Sequence, residues 1–495
     1  MRHLDGAHYL ARPAVGAGEA AAGDHLQLGW AFWLTGHQLG RLASPLEDPY
    51  SFRPEAEAPP NLQGWLLGAP YWPLRAVAGD VWAYDLLLLL TFVAAGGLTC
   101  GWLRALGLSR SAALAGGLVF ALMPYRVGQS TGHLLGLASF LLPALLLALG
   151  AIPLALGYAW ARLPRRDLGH AALGAGAALV AGLVVQRWAV AGSIGSGRSF
   201  AQVERYSAEL SDFVTRAVGA GVEELVFMGW LVPLLAAWGL WSIRRRAGLA
   251  ALLATAAVVP CLLALGANLP GYELLWRTLP GLGSTRVPER LLPIACLAVA
   301  GLAAFGLDAL RSLLASRSGV TGVGPADGPS GAGAATGSVP SRLGALATAL
   351  ALVVVALDLR VPVFGAVAAD TTTEAYAAIR GEGRLLELPV FRPDLHYGSV
   401  YLGYARQSPR ERPQGYSTLA PPAADRWARE HRGLSCGRGR LPGDVGWVVV
   451  HRGLYVQSGF FGAACPDAAE QRLRREGWTR VAQDGVLTTW RRPTG

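Results

Sequence analysis

The sequence predicts an α-helical polytopic membrane protein of about eight spans with a small C-terminal α/β domain, and three observations carry that prediction. Hydrophobic residues make up 52% of the 495-residue chain and charged residues only 15%, against about 25% charged in an ordinary soluble domain. Apolar runs near the roughly 20 residues needed to cross a hydrocarbon core recur between residues 82 and 358. Beyond residue 359 the pattern changes to short apolar runs separated by helix start and stop signals.

The expected spans are 82–103, 111–125, 133–160, 171–192, 223–243, 247–266, 289–309 and 343–358. The runs 111–125 and 343–358 fall short of the usual length, whereas 133–160 is long enough to tilt, or to break at Pro143 or Pro153. The chain divides accordingly. Residues 1–81 form an outer loop with interfacial helices, 82–310 the transmembrane core, 311–342 a cytoplasmic linker, 343–358 the last span, and 359–495 an extracytoplasmic α/β domain. Residues 318–341 are mostly Gly, Ala, Ser and Pro with a single charge, the composition of a flexible linker.

Sidedness follows from arginine, because short cytoplasmic connections are enriched in basic residues. All 43 basic residues are arginine, a bias that, with 64 glycines, fits a GC-rich bacterial genome. Arg104 and Arg110, then Arg162, Arg165 and Arg166, then Arg244 to Arg246, then Arg311, Arg317 and Arg342 mark four inside connections. The intervening segments 126–132, 193–222, 267–288, everything after about 359, and residues 1–81 then face outside. Residues 1–23 contain no apolar signal-like region. Either the N-terminal part crosses without its own signal or, the preferred expectation, a first span lies upstream of Met1. The formal charge of +10 is scattered among these connections and the C-terminal region, which argues against a nucleic-acid partner.

In the C-terminal region, RLLELPV (384–390) and VGWVVVHRG (445–453) read as buried strands, and PPAADRWAREHRG (421–433) and PDAAEQRLRREG (466–477) carry a proline near the start and a glycine at the end of helices. WTRVAQ and GVLTTWRR should pair through a turn at Asp484-Gly485. Of five cysteines, Cys100, Cys261 and Cys296 lie in spans. Cys436 and Cys465 lie in the exported region, either as a disulfide suited to an oxidising compartment or as two thiols.

The outside face gathers the candidate chemistry: Asp24, His25, Glu47 and Asp48 in the first loop, Arg126, Gln129 and His133 in the second, and Arg286 and Arg290 in a later one. Sugar transfer from a lipid phosphate needs a carboxylate to accept the proton of the incoming hydroxyl and cations to stabilise the departing phosphate, a task that suits the planar fork of arginine. Each residue also has a structural alternative. Gly-Asp before an apolar run is an ordinary helix cap, Pro-Leu-Glu-Asp-Pro an exposed turn, and Arg290 a side chain that snorkels to headgroups. Asp85 is expected to be packed or hydrated. The apolar stretches 25–39 and 62–77 look interfacial, with Trp30, Trp33, Trp65 and Trp72 at headgroup level. No cysteine or histidine spacing reads as a zinc site, and the acids permit a divalent metal without requiring one.

Over most of its length the chain resembles the GT-C superfamily of membrane glycosyltransferases, near the bacterial branch that uses polyprenyl-phosphate sugars. The resemblance rests on GDHLQLGWAFWL with SPLEDPYSFRP, on SAALAGGLVFALMPYRVGQSTGHL, on YELLWRTLPGLGSTRVPERLL, and on RLLELPV, GYSTLAPP and GWVVVHRGLY. It implies a GT-C-like fold in a bacterial inner membrane, a polyprenyl-phosphate sugar donor, an envelope glycan or lipid acceptor, and inversion at the anomeric carbon. It also implies an essential aspartate in the first outer loop, matched by Asp24. His25 stands where a second acid is usual, leaving that role to Glu47 or Asp48. The rival reading is a non-catalytic membrane protein, a lipid-linked-sugar transporter or a polysaccharide scaffold; span centres nearly free of charge and the absence of an evident repeat count against transport.

Overall fold

The computed structural model describes residues 6–11, 16–147, 180, 184, 193–194, 199–216, 225–279, 282–317, 342–361, 368–369 and 372–493. The linker 318–341, Arg162, Arg165 and Arg166, the second half of the expected span 133–160 and nearly all of 171–192 lie outside the described residues.

Among the described residues three helices are long and apolar enough to cross a membrane, Gly68–Ala105, Ala247–Ala264 and the helix of the 288–313 region. Other expected spans are shorter helices. The run 111–125 is helical over Arg110–Leu122 (13 residues), because Met123 leaves the helical region at ψ 126° ahead of Pro124, which starts a new helix. Of the run 223–243, the described residues 225–243 are helical from Leu231 to Ser242 (12 residues), preceded by Gly229 at φ 88°. Residues Arg342–Asp358 form a 17-residue helix, and of 133–160 only Leu134–Leu147 forms a described, short apolar helix.

The N-terminal part is built from α1 (Asp24–Gly40) and α2 (Gly68–Ala105). The second interfacial stretch and the first expected span are one helix, bent where Gly79 takes φ 81° and ψ 175°. Trp65 and Trp72 are exposed, as interfacial rings would be, but Trp30 and Trp33 are buried against Phe32, Tyr71 and Tyr84. Those two rings belong to the core beneath α1, since every turn of this helix carries apolar groups on more than one face. α3 (Arg110–Leu122) packs on α2, and helix Leu231–Ser242 lies against Leu292–Arg317 at glycine contacts. A Cβ on Gly239 would meet Leu302 O at 1.8 Å, and one on Gly306 would meet Leu235 O at 2.2 Å, the close backbone approach that small residues permit between membrane helices.

Beyond residue 372 a four-stranded sheet runs in the order β3-β4-β6-β5, with β3 (Arg384–Leu388), β4 (Val445–His451), β5 (Thr479–Asp484) and β6 (Leu487–Arg491). β3 and β4 are parallel and the rest antiparallel. Leu385, Trp447 and Val449 face one apolar cluster with Ala20, Ala22, Leu26 and Tyr401. Leu386, Leu388, Val448 and Val450 face another with Trp427, Leu473 and Trp490. Burial on both faces explains why these two strands read as continuous apolar runs rather than alternating ones. The hairpin turns at Gly485, φ 54°. Cys436 and Cys465 are joined in a disulfide.

The N-terminus is stitched to the C-terminal part of the chain at several points. β1 (His8–Tyr9) pairs antiparallel with β2 (Ala368–Ala369). The Glu19 carboxylate, fully buried, accepts from Leu454 N at 2.8 Å and meets His451 Nδ1 at 2.6 Å, and His451 Nε2 lies 2.9 Å from the Tyr376 hydroxyl. Asp85 is buried and accepts from Leu10 N at 2.8 Å.

Candidate active site

Asp24 is the first residue of α1, and the preceding Gly23 is extended at φ −177°, ψ 154°. The chain here is held on three sides: Gly23 N donates to Ser399 Oγ at 3.2 Å, Gln27 Nε2 donates to Tyr416 O at 3.2 Å, and the Glu19 anchor lies five residues upstream. The Asp24 side chain does not cap its own helix. Its Oδ2 lies 2.8 Å from His133 Nε2, and its Oδ1 accepts from the Tyr416 hydroxyl at 3.1 Å. His133 Nδ1 in turn lies 2.6 Å from Gln129 Oε1.

The second half of this arrangement comes from α4 (Pro124–Gln129) and α5 (Leu134–Ala138). Pro124 starts α4, and Gln129, its last residue, is one turn before His133, so the two side chains share a face. Gly132 lets this turn approach α1, since a Cβ there would stand 3.1 Å from His25 N and 3.2 Å from Asp24 Cβ. Both His133 ring nitrogens are engaged, one by Asp24 Oδ2 and the other by Gln129 Oε1. Burial pushes the Asp24 carboxyl up, but hydrogen bonding and charge from His133, the Tyr416 hydroxyl and the charge of His396 outweigh it and hold the group below the usual carboxylate range. Asp24 remains 29% exposed, so an ionised carboxylate, a histidine and a phenol converge where a substrate can reach them.

Of the residues expected from sequence, Asp24, Gln129 and His133 are brought together. His25 is not with them: it is buried against Tyr9 at 5.8 Å between ring centroids, and desolvation pushes it down to about 3, so it is a neutral core histidine. Its side chain leaves α1 about 100° from that of Asp24. Asp48 is buried too, accepting from Trp30 Nε1 at 3.1 Å, Tyr50 N at 2.9 Å and Ser51 N at 3.1 Å, and so closes the loop after α1. Glu47 is exposed. Neither acid supplies a second carboxylate to Asp24.

Arg126 is committed to structure. Its guanidinium donates to Ser139 Oγ at 2.6 Å, Ala121 O at 3.1 Å and Thr91 O at 2.9 Å, and lies 4.1 Å from the Phe92 ring centroid. Arg286 lies 5.9 Å from the Tyr206 ring, and Arg290 is exposed in the turn Pro288–Leu291. Tyr416 and His396 were not anticipated as site residues. Tyr416 lies inside the GYSTLAPP block, but a lone tyrosine 392 residues from Asp24 gives no chemical signal until the fold joins them. Among the described residues no group of three His, Cys, Asp or Glu could hold a metal ion.

No protein-family model matches the sequence, and no curated protein matches it. Among solved structures, the single-particle cryo-EM structure of the arabinofuranosyltransferase AftD from Mycobacteria is similar over 97% of this chain and 41% of its own, at 16% identity and a TM-score of 0.45. The chain spans about two fifths of that protein's length.

Proposed function

We propose that this chain is a membrane glycosyltransferase of GT-C type that moves a hexosyl group from a polyprenyl-phosphate donor to an envelope glycan or lipid acceptor at the outer face of a bacterial inner membrane. The observation that carries the reading is the Asp24–His133 pair, 2.8 Å apart, with the Tyr416 hydroxyl on the other carboxylate oxygen. It lies at the start of α1 in a chain with helices apolar enough to span a membrane. Three segments that arginine patterning assigns to one side, residues 1–81, 126–132 and the region beyond 359, meet at this carboxylate, which also supports the assignment.

In this reading Asp24 accepts the proton of the acceptor hydroxyl as its oxygen bonds to the anomeric carbon. The bond from that carbon to the phosphate oxygen breaks, and its electron pair leaves with the phosphate. His133 sits beside Asp24 and holds its carboxylate, Arg286 and Arg290 are the cations for the phosphate, and the C-terminal domain supplies Tyr416. General-base catalysis of this kind contributes about 10²–10⁴-fold. Transfer from labelled polyprenyl-phosphate sugars should therefore fall by at least roughly 100-fold in Asp24→Asn. Equal rates in variant and wild type remove Asp24 as the base. Failure of both forms to bind donor favours a non-catalytic polysaccharide scaffold.

A further inference from the structure

A second feature of α1 stands apart from the Asp24 cluster. Twelve to seventeen residues further along the helix, about 18–25 Å at 1.5 Å per residue, Gly36, His37, Gly40 and Arg41 line a cavity of about 280 Å³ with Trp33, Tyr71, Trp72 and Arg75. Arg41 is exposed and donates to the Tyr50 hydroxyl at 3.0 Å, which also lies 2.7 Å from His37 Nε2. Arg75 is held on its inner side by Asp80, and Asp80 is shared with Arg406 at 3.7 Å. Arg41 and Arg75 thus both line the cavity, with Asp80 behind Arg75. His37 feels both arginines: burial lowers it, and the charges of Arg41 and Arg75 lower it further. Stacked aromatic rings, Trp33 on His37 at 4.4 Å, form one wall.

Trp72, one of the lining residues, is 44% exposed, and in the chain Arg41 is flanked by Leu39 and by Leu42, which is almost wholly exposed at 98%. A cavity lined by two arginines and an exposed tryptophan, with exposed leucines beside Arg41 in the chain, matches a ligand with a phosphate and an adjoining acyl chain. We propose that this cavity binds the phosphate headgroup of a membrane lipid between Arg41 and Arg75, as a site separate from Asp24.

The test measures binding rather than sugar transfer, so it stands or falls independently of the function proposed above. Purified full-length protein in neutral detergent is titrated with dihexanoyl phosphatidic acid, dihexanoylglycerol or inorganic phosphate. Saturable binding of the phosphatidic acid is expected, weakened at least about tenfold in Arg41→Glu and in Arg75→Gln but retained in Arg41→Lys and in Asp24→Asn. Arg41 is exposed, so its variants leave the fold intact. Equal binding of dihexanoylglycerol overturns phosphate recognition. Equal affinity for inorganic phosphate overturns a lipid source. Loss of binding in Asp24→Asn, or none lost in either arginine variant, overturns the location.

Discussion

Asp24 and His25 are adjacent and have opposite fates, because the roughly 100° step between successive helix residues sends the first toward His133 and Tyr416 and the second toward Tyr9. Their titrations differ in consequence. Asp24 is held below its ordinary value, so its contribution to stability is present above about pH 4 and is lost only as the pH falls through the lower folded value. His25 behaves otherwise. Folded, it stays neutral down to about 3, whereas the unfolded chain takes up its proton near pH 6.5. The unfolded state therefore binds more protons below pH 6.5, and folding stability drops as the medium is acidified through that window at roughly 1.4 kcal/mol per pH unit. Thermal or denaturant unfolding at pH 7 and pH 5 should show wild type losing about 2 kcal/mol more than His25→Phe over that interval. Parallel losses would mean that His25 is hydrated and protonated in the folded protein. Sequence pattern picks out Asp24, Gln129 and His133 because acid, amide and imidazole are scarce beside apolar runs. It cannot separate His25 or Asp48 from them, since burial depends on which helix face the rest of the chain covers.

At the level of elements, apolar content was legible and helix length was not. A run such as 111–125 carries the composition of a span, yet Pro124 ends the helix and begins the short one that delivers Gln129 and His133. A proline that shortens one element therefore builds part of the candidate site. The strands 384–388 and 445–451 were legible for the opposite reason, since a strand covered on both faces leaves an uninterrupted apolar run. Close helix packing depends on single glycines that composition does not single out. Helix Leu231–Ser242 meets Leu292–Arg317 so closely that a Cβ on Gly306 would stand 2.2 Å from a backbone carbonyl, which cannot rotate away as a side chain can. Gly306→Val should cost about 1–3 kcal/mol or more through overpacking. The measurement is the midpoint of thermal unfolding in detergent, and an unchanged midpoint would mean the helices are further apart than described.

At the scale of the whole molecule, the candidate base is positioned by a domain more than 350 residues away in sequence. Asp24 follows a segment whose Glu19 carboxylate is buried between Leu454 N and His451, and whose Gly23 amide donates to Ser399. No local pattern in residues 16–23 announces this, because Glu19 reads as one more loop acid until the sheet that covers it exists. The linkage gives the C-terminal region a role in placing Asp24 as well as in contributing Tyr416. Removing one partner of a buried hydrogen bond costs about 1–3 kcal/mol, since the other is left desolvated without compensation. His451→Ala should accordingly release the strand of chain before α1, even though residue 451 touches neither Asp24 nor His133. Two readouts together identify that mechanism: proteolysis within residues 16–23 should accelerate in the variant, and sugar transfer should fall while donor affinity changes less. Glu19→Ala should reproduce both effects, and the double variant should be little worse than either single one, because each removes the same contact. Full additivity of the two, or proteolysis at the wild-type rate, would mean the segment is held by the apolar contacts of Ala20, Ala22 and Leu26 alone.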